Sequence, residues 1–161
     1  MSGDFPGLLQ RLAEGGVDFV VVGGFAGVAH GCTYVTADID ICIDLSADNL
    51  LRLQEALAGL NAVHRMTPKR TKLHLTPANC GQIKNLYLDT DMGQLDCVGA
   101  IAGVGDYANV RKASENMTVE GVSLRVLNID GLIESKKAMN RAKDAAAIRE
   151  LEAIRKMREK K

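Results

Sequence analysis

The chain has 161 residues, which is enough for one domain with a hydrophobic core and too few for two ordinary domains. Apolar residues make up 47% and charged residues 25%, a composition that excludes a disordered or low-complexity protein. The 20 basic and 20 acidic residues cancel, so no overall positive field attracts nucleic acid. With no Trp, three Phe and three Tyr, a protein that stacks successive bases on aromatic rings is also disfavoured.

The sequence predicts a cytoplasmic protein without a membrane segment. The longest nearly apolar stretch, 19–29, is too short for the roughly 20 residues that span a bilayer, and the first residues lack the pattern of a signal peptide. Cys32, Cys42, Cys80 and Cys97 lie far apart without a Cys-x-x-Cys pair, which predicts buried free thiols rather than a zinc ribbon or disulfide framework. The three histidines lack metal-ligand spacing, and we expect them to be structural or surface groups.

The first half of the chain predicts helices that alternate with strands. Leucines at helical spacing, a β-branched run before two glycines and a strict alternation of aspartate with isoleucine carry this interpretation. The expected elements are a helix from Phe5 to the Gly15-Gly16 pair, a strand at 17–22, a short helix at 25–30, a strand at 36–43 and a helix from a Ser46 cap to about Leu60.

The second half predicts short strands followed by helices. Strands are expected at 62–66, 71–75, 83–88, 94–98, 118–119 and 122–127, with hairpin turns at 91–93 and 120–121. Asn128 or Asp130 is expected to cap a helix that begins near Gly131, and an apolar stripe from Ile148 to Met157 predicts the final helix. This order favours an α+β fold: a single domain over 1–161 with one mixed β-sheet flanked by helices, a core at about 17–127 and C-terminal helices at about 129–158.

The densest signal for chemistry is a glycine pair followed by two aspartates. Asp38 and Asp40 are two residues apart in a predicted strand, so both carboxylates face the same way. Such a pair repels itself unless a cation is bound, and Mg²⁺ takes carboxylate and phosphate oxygens. Gly23 and Gly24 would let the backbone approach a phosphate, beside the free N–H groups that begin the next helix. Alone, the aspartate pair is as well explained by the solvent-exposed face of a strand, and the glycine pair by an ordinary turn. Together, the two features favour a site that binds a metal and a phosphate.

A third carboxylate, Asp96, lies in the middle of a predicted strand between apolar neighbours. A carboxylate in that position is costly unless it is exposed, paired or bound to a metal. Asp89 and Asp91 lie near the predicted hairpin turn and are better explained by turn chemistry. The glycine spacing matches neither a dinucleotide-binding fingerprint nor a P-loop.

These residues resemble the motifs of the nucleotidyltransferase fold shared by polymerase beta-like enzymes. The likeness rests on Gly23-Gly24, on Asp38-x-Asp40 and on the later Asp96. In the C-terminal part, Lys136 and the segment Arg141-Ala142-Lys143-Asp144 are similar to the pattern of a small bacterial branch that includes AbiEii-type toxins and minimal nucleotidyltransferases. The resemblance covers roughly residues 17–151.

The resemblance implies a role for each matched residue. Asp38, Asp40 and Asp96 would bind Mg²⁺ or Mn²⁺, with Asp96 completing the metal site or acting as the base. Gly23, Gly24 and Lys136 would contact the nucleoside triphosphate, and Asp144 would support Lys136 or the acceptor. Thr36 would be a further nucleotide contact, or it would simply support the strand.

The spacing of Lys136 and Asp144 leaves two structural alternatives open. They would share one face of a continuous helix, whereas a break at Asn140-Arg141 would make Asp144 the N-cap of the final helix. A solvated ion pair or a cap explains the two residues as well as function does. The chain also departs from the branch, with Tyr34 where relatives often have an arginine and Ala147 where they have an acid.

A basic stretch lies between the acid pair and the third aspartate. Residues 56–88 contain no acidic residue but include Arg65, Lys69, Arg70, Lys72 and Lys84. Such a run is usually a solvated face, and the sharper interpretation is an acceptor surface for a polyanion such as tRNA.

The leading hypothesis is a Mg²⁺-dependent nucleotidyltransferase that moves a nucleoside monophosphate from an NTP to a hydroxyl of RNA, protein or a small molecule. The alternative is a non-catalytic binding partner or antitoxin of a toxin–antitoxin pair. An apolar patch on Leu132-Ile133 or on the last helix would favour the alternative, and convergence of the three aspartates with Lys136 would favour the enzyme.

Overall fold

The computed structural model describes residues 3–34 and 36–160. Met1, Ser2 and Lys161, which the predicted domain includes, lie outside the described residues, as does Val35. The helices are α1 (Phe5–Glu14), α2 (Gly23–Ala29), α3 (Ala47–Ala56), α4 (Tyr107–Lys112), α5 (Ile129–Met139) and α6 (Ala145–Glu159). The strands are β1 (Phe19–Val22), β2 (Asp38–Ile43), β3 (Val63–His64), β4 (Asn85–Thr90), β5 (Gly93–Val98), β6 (Ala100–Ile101), β7 (Gly105–Asp106), β8 (Ser114–Val119) and β9 (Val122–Leu127).

Seven of the strands form one mixed sheet in the order β3-β4-β5-β2-β1-β9-β8. β1 and β2 are antiparallel, β2 and β5 are parallel, and β1 and β9 are parallel. The alternation in β2 has the predicted effect, because Ile39, Ile41 and Ile43 are fully buried while Asp38 and Asp40 are half-buried. The predicted α+β domain with a mixed sheet and flanking helices is confirmed.

Several local predictions are also confirmed. Ser46 caps α3 by accepting a hydrogen bond from the Asn49 backbone N–H, and Asn128 caps α5 in the same way through Gly131. The hairpin turns fall at 91–92 and at 120–121. All four cysteines are free and buried. His30 is a buried structural group whose Nε2 lies 2.8 Å from the Leu127 carbonyl oxygen.

Several predicted boundaries are wrong. The short helix α2 begins at Gly23 rather than near Phe25, α3 ends at Ala56 rather than near Leu60, and β2 begins at Asp38 rather than at residue 36. The strands predicted at 62–66 and 71–75 reduce to β3 and a single bridge between Val63 and Lys72, because residues 65–69 form turns instead of continuing the first strand.

The segment 99–113 was not predicted as regular structure. It contains the short strands β6 and β7 and the helix α4, whose Val110 is fully buried. Elements this short carry little periodicity, so only packing against β1, β2 and β9 reveals them. In the described ranges 3–34 and 36–160, no helix has the length and apolar character needed to cross a membrane.

The buried side chain of Asn49 joins β1 to β2. Asn49 is fully buried in α3, and its amide oxygen accepts a hydrogen bond of 2.7 Å from the Asp18 N–H. Its amide nitrogen donates to the carbonyl oxygens of Asp18 and Asp44, at 3.0 and 2.7 Å. These two residues stand just before β1 and just after β2, so Asn49 joins the start of one strand to the end of the other.

Replacement of Asn49 by alanine should therefore lower the free energy of unfolding by about 2–3 kcal/mol, because three backbone groups lose a buried partner. Urea denaturation measures this change. Asn116→Ala, at an exposed position on β8, is the matched control and should change stability by less than about 0.5 kcal/mol. Equal costs for the two variants would contradict this role of Asn49.

Candidate active site

Three aspartates meet on one face of the sheet. In the parallel pairing of β2 with β5, Asp40 stands beside Asp96, and Asp38 stands two residues before Asp40 on the same face. One carboxylate oxygen from each residue lies within 4.8 Å of the others. We call Asp38, Asp40 and Asp96 the acid cluster; the sequence predicted that these three residues would converge, and the structure brings them together.

Burial and mutual repulsion raise pKa values within the acid cluster. Burial, together with the negative charges of Asp38 and Asp96, raises the pKa of Asp40 to about 7. Burial and the charge of Asp96 likewise raise the pKa of Asp38. Three carboxylates at this separation suit a divalent ion, which takes oxygen ligands and removes the repulsion. The donor set therefore fits Mg²⁺ or Mn²⁺.

An arginine from the basic stretch reaches the third acid. Arg65 forms a two-pronged ion pair with Asp96: Nη1 donates to Oδ1, and Nη2 donates to Oδ2 at 3.0 Å. The guanidinium carbon also lies 5.6 Å from the centre of the Tyr87 ring. The positive charge of Arg65 opposes the rise in the pKa values of Asp38 and Asp40.

The glycine pair lies directly against the acid cluster. Gly23 has φ of +67°, and a Cβ at this position would lie 2.3 Å from Oδ2 of Asp40. Only a residue without a side chain combines that backbone conformation with so close an approach. The next residue, Gly24, faces Thr36, whose hydroxyl oxygen would lie 3.2 Å from a Cβ on Gly24.

A cavity of about 310 Å³ opens beside the acid cluster. Its size falls at the lower end of small-molecule sites. Gly23, Gly24, Asp40 and Lys136 all line it, so four of the predicted site residues share one space. The remaining lining is largely apolar and comes from β5, β6, β9 and α5, and it includes Arg141.

Asp144 holds Lys136 from outside the cavity. Its carboxylate accepts a hydrogen bond of 2.7 Å from Nε of Arg141 and lies 3.6 Å from Nζ of Lys136. Burial raises the pKa of Asp144, but the hydrogen bond from Arg141 and the charge of Lys136 outweigh it, so that pKa lies below its usual value. This ion pair is largely buried, with exposures of 12% for the Lys136 side chain and 8% for that of Asp144, so it is not a solvated pair.

The helix break at Asn140 is confirmed, and Asp144 takes the predicted N-cap position without a capping hydrogen bond from its side chain. Asn140 ends α5 in the left-handed conformation, and Asp144 stands at the N-cap position of α6. The side chain of Asp144 makes no capping hydrogen bond. Its oxygens are engaged by Arg141 and Lys136, whose charges attract a carboxylate more strongly than a backbone N–H does.

Thr36 and Tyr34 pack around the glycine turn. The Thr36 hydroxyl donates a hydrogen bond of 2.8 Å to the Asp38 carbonyl oxygen, which supports the start of β2. Tyr34, where relatives often have an arginine, lies over α2, and its hydroxyl would be 1.8 Å from a Cβ on Gly27. Burial raises the pKa of Tyr34, so its phenol stays neutral.

The other predicted acids and bases are explained by pairs near the surface. Asp91 at the hairpin turn accepts a hydrogen bond from the Asn61 amide, and Asp89 pairs with Arg70. Two arginines of the basic stretch are thus engaged by acids, while Lys69, Lys72 and Lys84 are exposed. A larger cavity, of about 930 Å³, lies between α6, the start of α5 and β8, and none of the predicted site residues lines it.

The solved structures that this chain resembles are nucleotidyltransferases. A Thermotoga maritima protein assigned as a nucleotidyltransferase superposes with a TM-score of 0.59 at 17% identity, over 91% of this chain and 88% of that one. The chain has the nucleotidyltransferase fold. The lincosamide antibiotic adenylyltransferase LnuA, with lincomycin bound, gives a TM-score of 0.62 at 15% identity over 94% and 96% of the two chains. The ANT(2″)-Ia complex with adenylyl-2″-tobramycin gives 0.59 at 15% identity over 95% and 93%.

At the level of sequence, no family model and no curated protein matches the chain. The predicted fold agrees with the solved structures, whereas membership of the superfamily and the assignment to its AbiEii-type branch stay predictions.

Sequence reasoning missed the site roles of Arg65 and Arg141. The sequence predicts that Arg65 belongs to a basic surface stretch, although a buried aspartate in mid-strand requires a partner. That requirement is the available signal, but it does not identify which of five basic residues satisfies it. Arg141 belongs to the C-terminal motif, for which the sequence indicates no separate role, and the structure places it on the cavity wall and on Asp144.

Replacement of Gly23 by alanine tests the close approach to Asp40. We expect a loss of about 2–3 kcal/mol, since the positive φ costs roughly 1–2 kcal/mol and the new methyl group collides with the carboxylate. Gly59→Ala is the matched control, because Gly59 has φ of +81° and nothing within 4 Å of its added Cβ. Urea denaturation with and without Mn²⁺ compares the two variants. Metal-induced stabilisation should disappear only in Gly23→Ala, and its retention there would contradict the assignment.

The raised pKa of Asp40 predicts how stability depends on pH without divalent ions. Between about pH 4 and pH 7 the folded protein keeps a proton that the unfolded carboxyl has released, so this group's contribution to stability is lost as pH rises through that window. Asp40→Asn removes the effect, and it should be more stable than the wild type at pH 8 by roughly 1 kcal/mol or more. Thermal melts at pH 5, 6, 7 and 8 in the presence of a chelator measure the difference. A difference that does not grow with pH would contradict the prediction.

Proposed function

We propose that this protein is a metal-dependent nucleotidyltransferase that transfers a nucleoside monophosphate from an NTP to a hydroxyl group. The observation that carries the proposal is the acid cluster, whose Asp40 lines a cavity that Gly23, Gly24 and Lys136 also line. The fold supports it, because adenylyltransferases with bound antibiotic or adenylylated antibiotic are among its structural neighbours.

Asp38, Asp40 and Asp96 would hold Mg²⁺ or Mn²⁺. When bound, the metal would neutralise phosphate charge and lower the pKa of the attacking hydroxyl. The chain's own contribution is to fix three carboxylates on two adjacent strands, where they cannot separate to relieve their repulsion.

Lys136 would provide the positive charge inside the cavity. Asp144, itself bonded to Arg141, pairs with the Lys136 side chain, so the ammonium group is placed before substrate arrives. Gly23 and Gly24 line the same cavity as Lys136 and Asp40, and without side chains they would let the backbone approach a phosphate there. Charge is thereby arranged where phosphate oxygens would lie.

In the proposed reaction, the acceptor oxygen forms a bond to the α-phosphorus of the NTP, and the bond from that phosphorus to the bridging oxygen of the β-phosphate breaks. The products are the nucleotidylated acceptor and pyrophosphate, and the hydroxyl proton is released to a base. Asp96 is the family's candidate for that base, although in this structure both of its oxygens are bonded to Arg65.

The charge pairs of the basic stretch affect which acceptor we propose. The basic stretch has less free positive charge than its composition indicates, because Arg65 and Arg70 are neutralised by Asp96 and Asp89. Lincomycin and adenylyl-2″-tobramycin, bound by two structural neighbours, are small molecules. We therefore put a small-molecule hydroxyl ahead of RNA or protein as the proposed acceptor.

The proposed alternative, a non-catalytic partner or antitoxin, would be favoured by an apolar patch on Leu132-Ile133 or on the last helix. Leu132 and Ile133 are buried, so they form no docking patch, whereas Met157 on α6 is an exposed apolar side chain. The convergence expected of an enzyme is present for Asp40 and Lys136, which line one cavity.

The proposal is tested by incubating the protein with labelled NTPs and one of three acceptor classes. The classes are antibiotics with free hydroxyls, total RNA and total protein. Lys136→Ala should lower the rate of label transfer by about 100-fold or more, because it removes a charge placed for the phosphates. Lys137→Ala, one residue along on the exposed face of α5, is the control and should keep the wild-type rate. Equal loss in both variants, or no transfer of any nucleotide to any acceptor class, would count against the proposed function.

A further inference from the structure

Arg65 lies outside the motifs that carry the family resemblance, yet it forms the closest charge contact that the acid cluster makes. We propose that Arg65 is a positioning residue that acts as a built-in counter-cation: it competes with the divalent ion for Asp96 and so weakens metal binding in the absence of nucleotide. The inference rests on the proposed function and adds a control of metal affinity to it.

The ion pair occupies the part of Asp96 that a metal needs. Both carboxylate oxygens accept hydrogen bonds from Arg65, one from each terminal nitrogen of the guanidinium. An oxygen of the same carboxylate lies within 4.8 Å of oxygens from Asp38 and Asp40. A cation held by the acid cluster would therefore lie within a few ångström of the Arg65 charge.

Arg65 is held in this position by two further contacts. Its backbone N–H donates a hydrogen bond of 3.0 Å to the carbonyl oxygen of Tyr87, and Tyr87 stands directly opposite Asp96 in the pairing of β4 with β5. The guanidinium group lies near the Tyr87 ring. The main chain of Arg65 is thus fixed to β4 and its side chain to β5, and the Arg65 side chain is only 19% exposed.

Two roles of Arg65 predict effects of opposite sign on metal affinity. If Arg65 only oriented Asp96, its loss would weaken metal binding, typically by about 10- to 100-fold, as for other residues that hydrogen-bond a metal ligand. If it is a counter-cation, its loss removes a repulsion between a positive charge and a divalent ion in a partly dehydrated site, and binding becomes tighter. The proposal therefore expects tighter binding from a neutral substitution.

The test is a calorimetric titration of the full chain with Mn²⁺ in the absence of nucleotide. Arg65→Gln should lower the dissociation constant by about tenfold or more, since glutamine keeps one hydrogen-bond donor but removes the charge. Arg65→Lys keeps the charge and should bind Mn²⁺ within about threefold of the wild type. Arg70→Gln, which breaks the neighbouring pair with Asp89, is the matched control and should not change the affinity.

A second measurement does not depend on the folding of any variant. In the wild-type protein, the NMR signals of the Arg65 side chain should shift as Mg²⁺ is added, with the midpoint seen for metal binding by calorimetry. Signals that stay unchanged at saturating Mg²⁺, or an Arg65→Gln variant that binds Mn²⁺ no more tightly than the wild type, would overturn the inference.

These readouts separate the inference from the proposed function. Tighter Mn²⁺ binding by Arg65→Gln, without nucleotide transfer by the wild type, would support the counter-cation and count against the enzyme. Transfer by the wild type with unchanged metal affinity in Arg65→Gln would support the enzyme and overturn the counter-cation.

Discussion

The parallel pairing of β2 with β5 is the constraint on which the rest of the site depends. It places Asp40 beside Asp96, and strand alternation adds Asp38 to the same face. Three carboxylates this close together and partly buried repel one another. This repulsion, together with burial, raises the pKa values of Asp38 and Asp40. The sheet holds both aspartates of β2 on this face because a one-residue slip would turn its buried isoleucines out of the core.

Two positively charged side chains lie near these carboxylates and offset their negative charge. Arg65 balances Asp96 from the side of β4, and Lys136 brings a second positive charge to the cavity beside Asp40. Gly23 allows the turn after β1 to approach Asp40 without a side chain in between. Asp40, Lys136 and the backbone of Gly23 line one small cavity, while Asp38, Asp96 and Arg65 lie beside it around Asp40.

The sequence indicated much of the fold because its strong signals are local. Alternation in β2, the Ser46 and Asn128 caps and the two hairpin turns all depend on residues that are close in the chain. The errors fall where local signals are weak, as in the segment 99–113, or where turns interrupt a β-like pattern, as after β3. For Asp144, a local rule predicted a cap, and a buried ion pair with Lys136 replaced it.

By itself, the sequence determined which acids and glycines were candidates and that Asp38 and Asp40 share a face, since a strand repeats every two residues. Only the tertiary structure decided that Asp96 joins them, because that depends on which strand pairs with β2 and in which register. It also decided that Arg65 neutralises Asp96 and that Lys136 faces the same cavity as Gly23. Contacts between residues 31 or more positions apart are selected by packing of the whole sheet, and no local pattern in the chain encodes them.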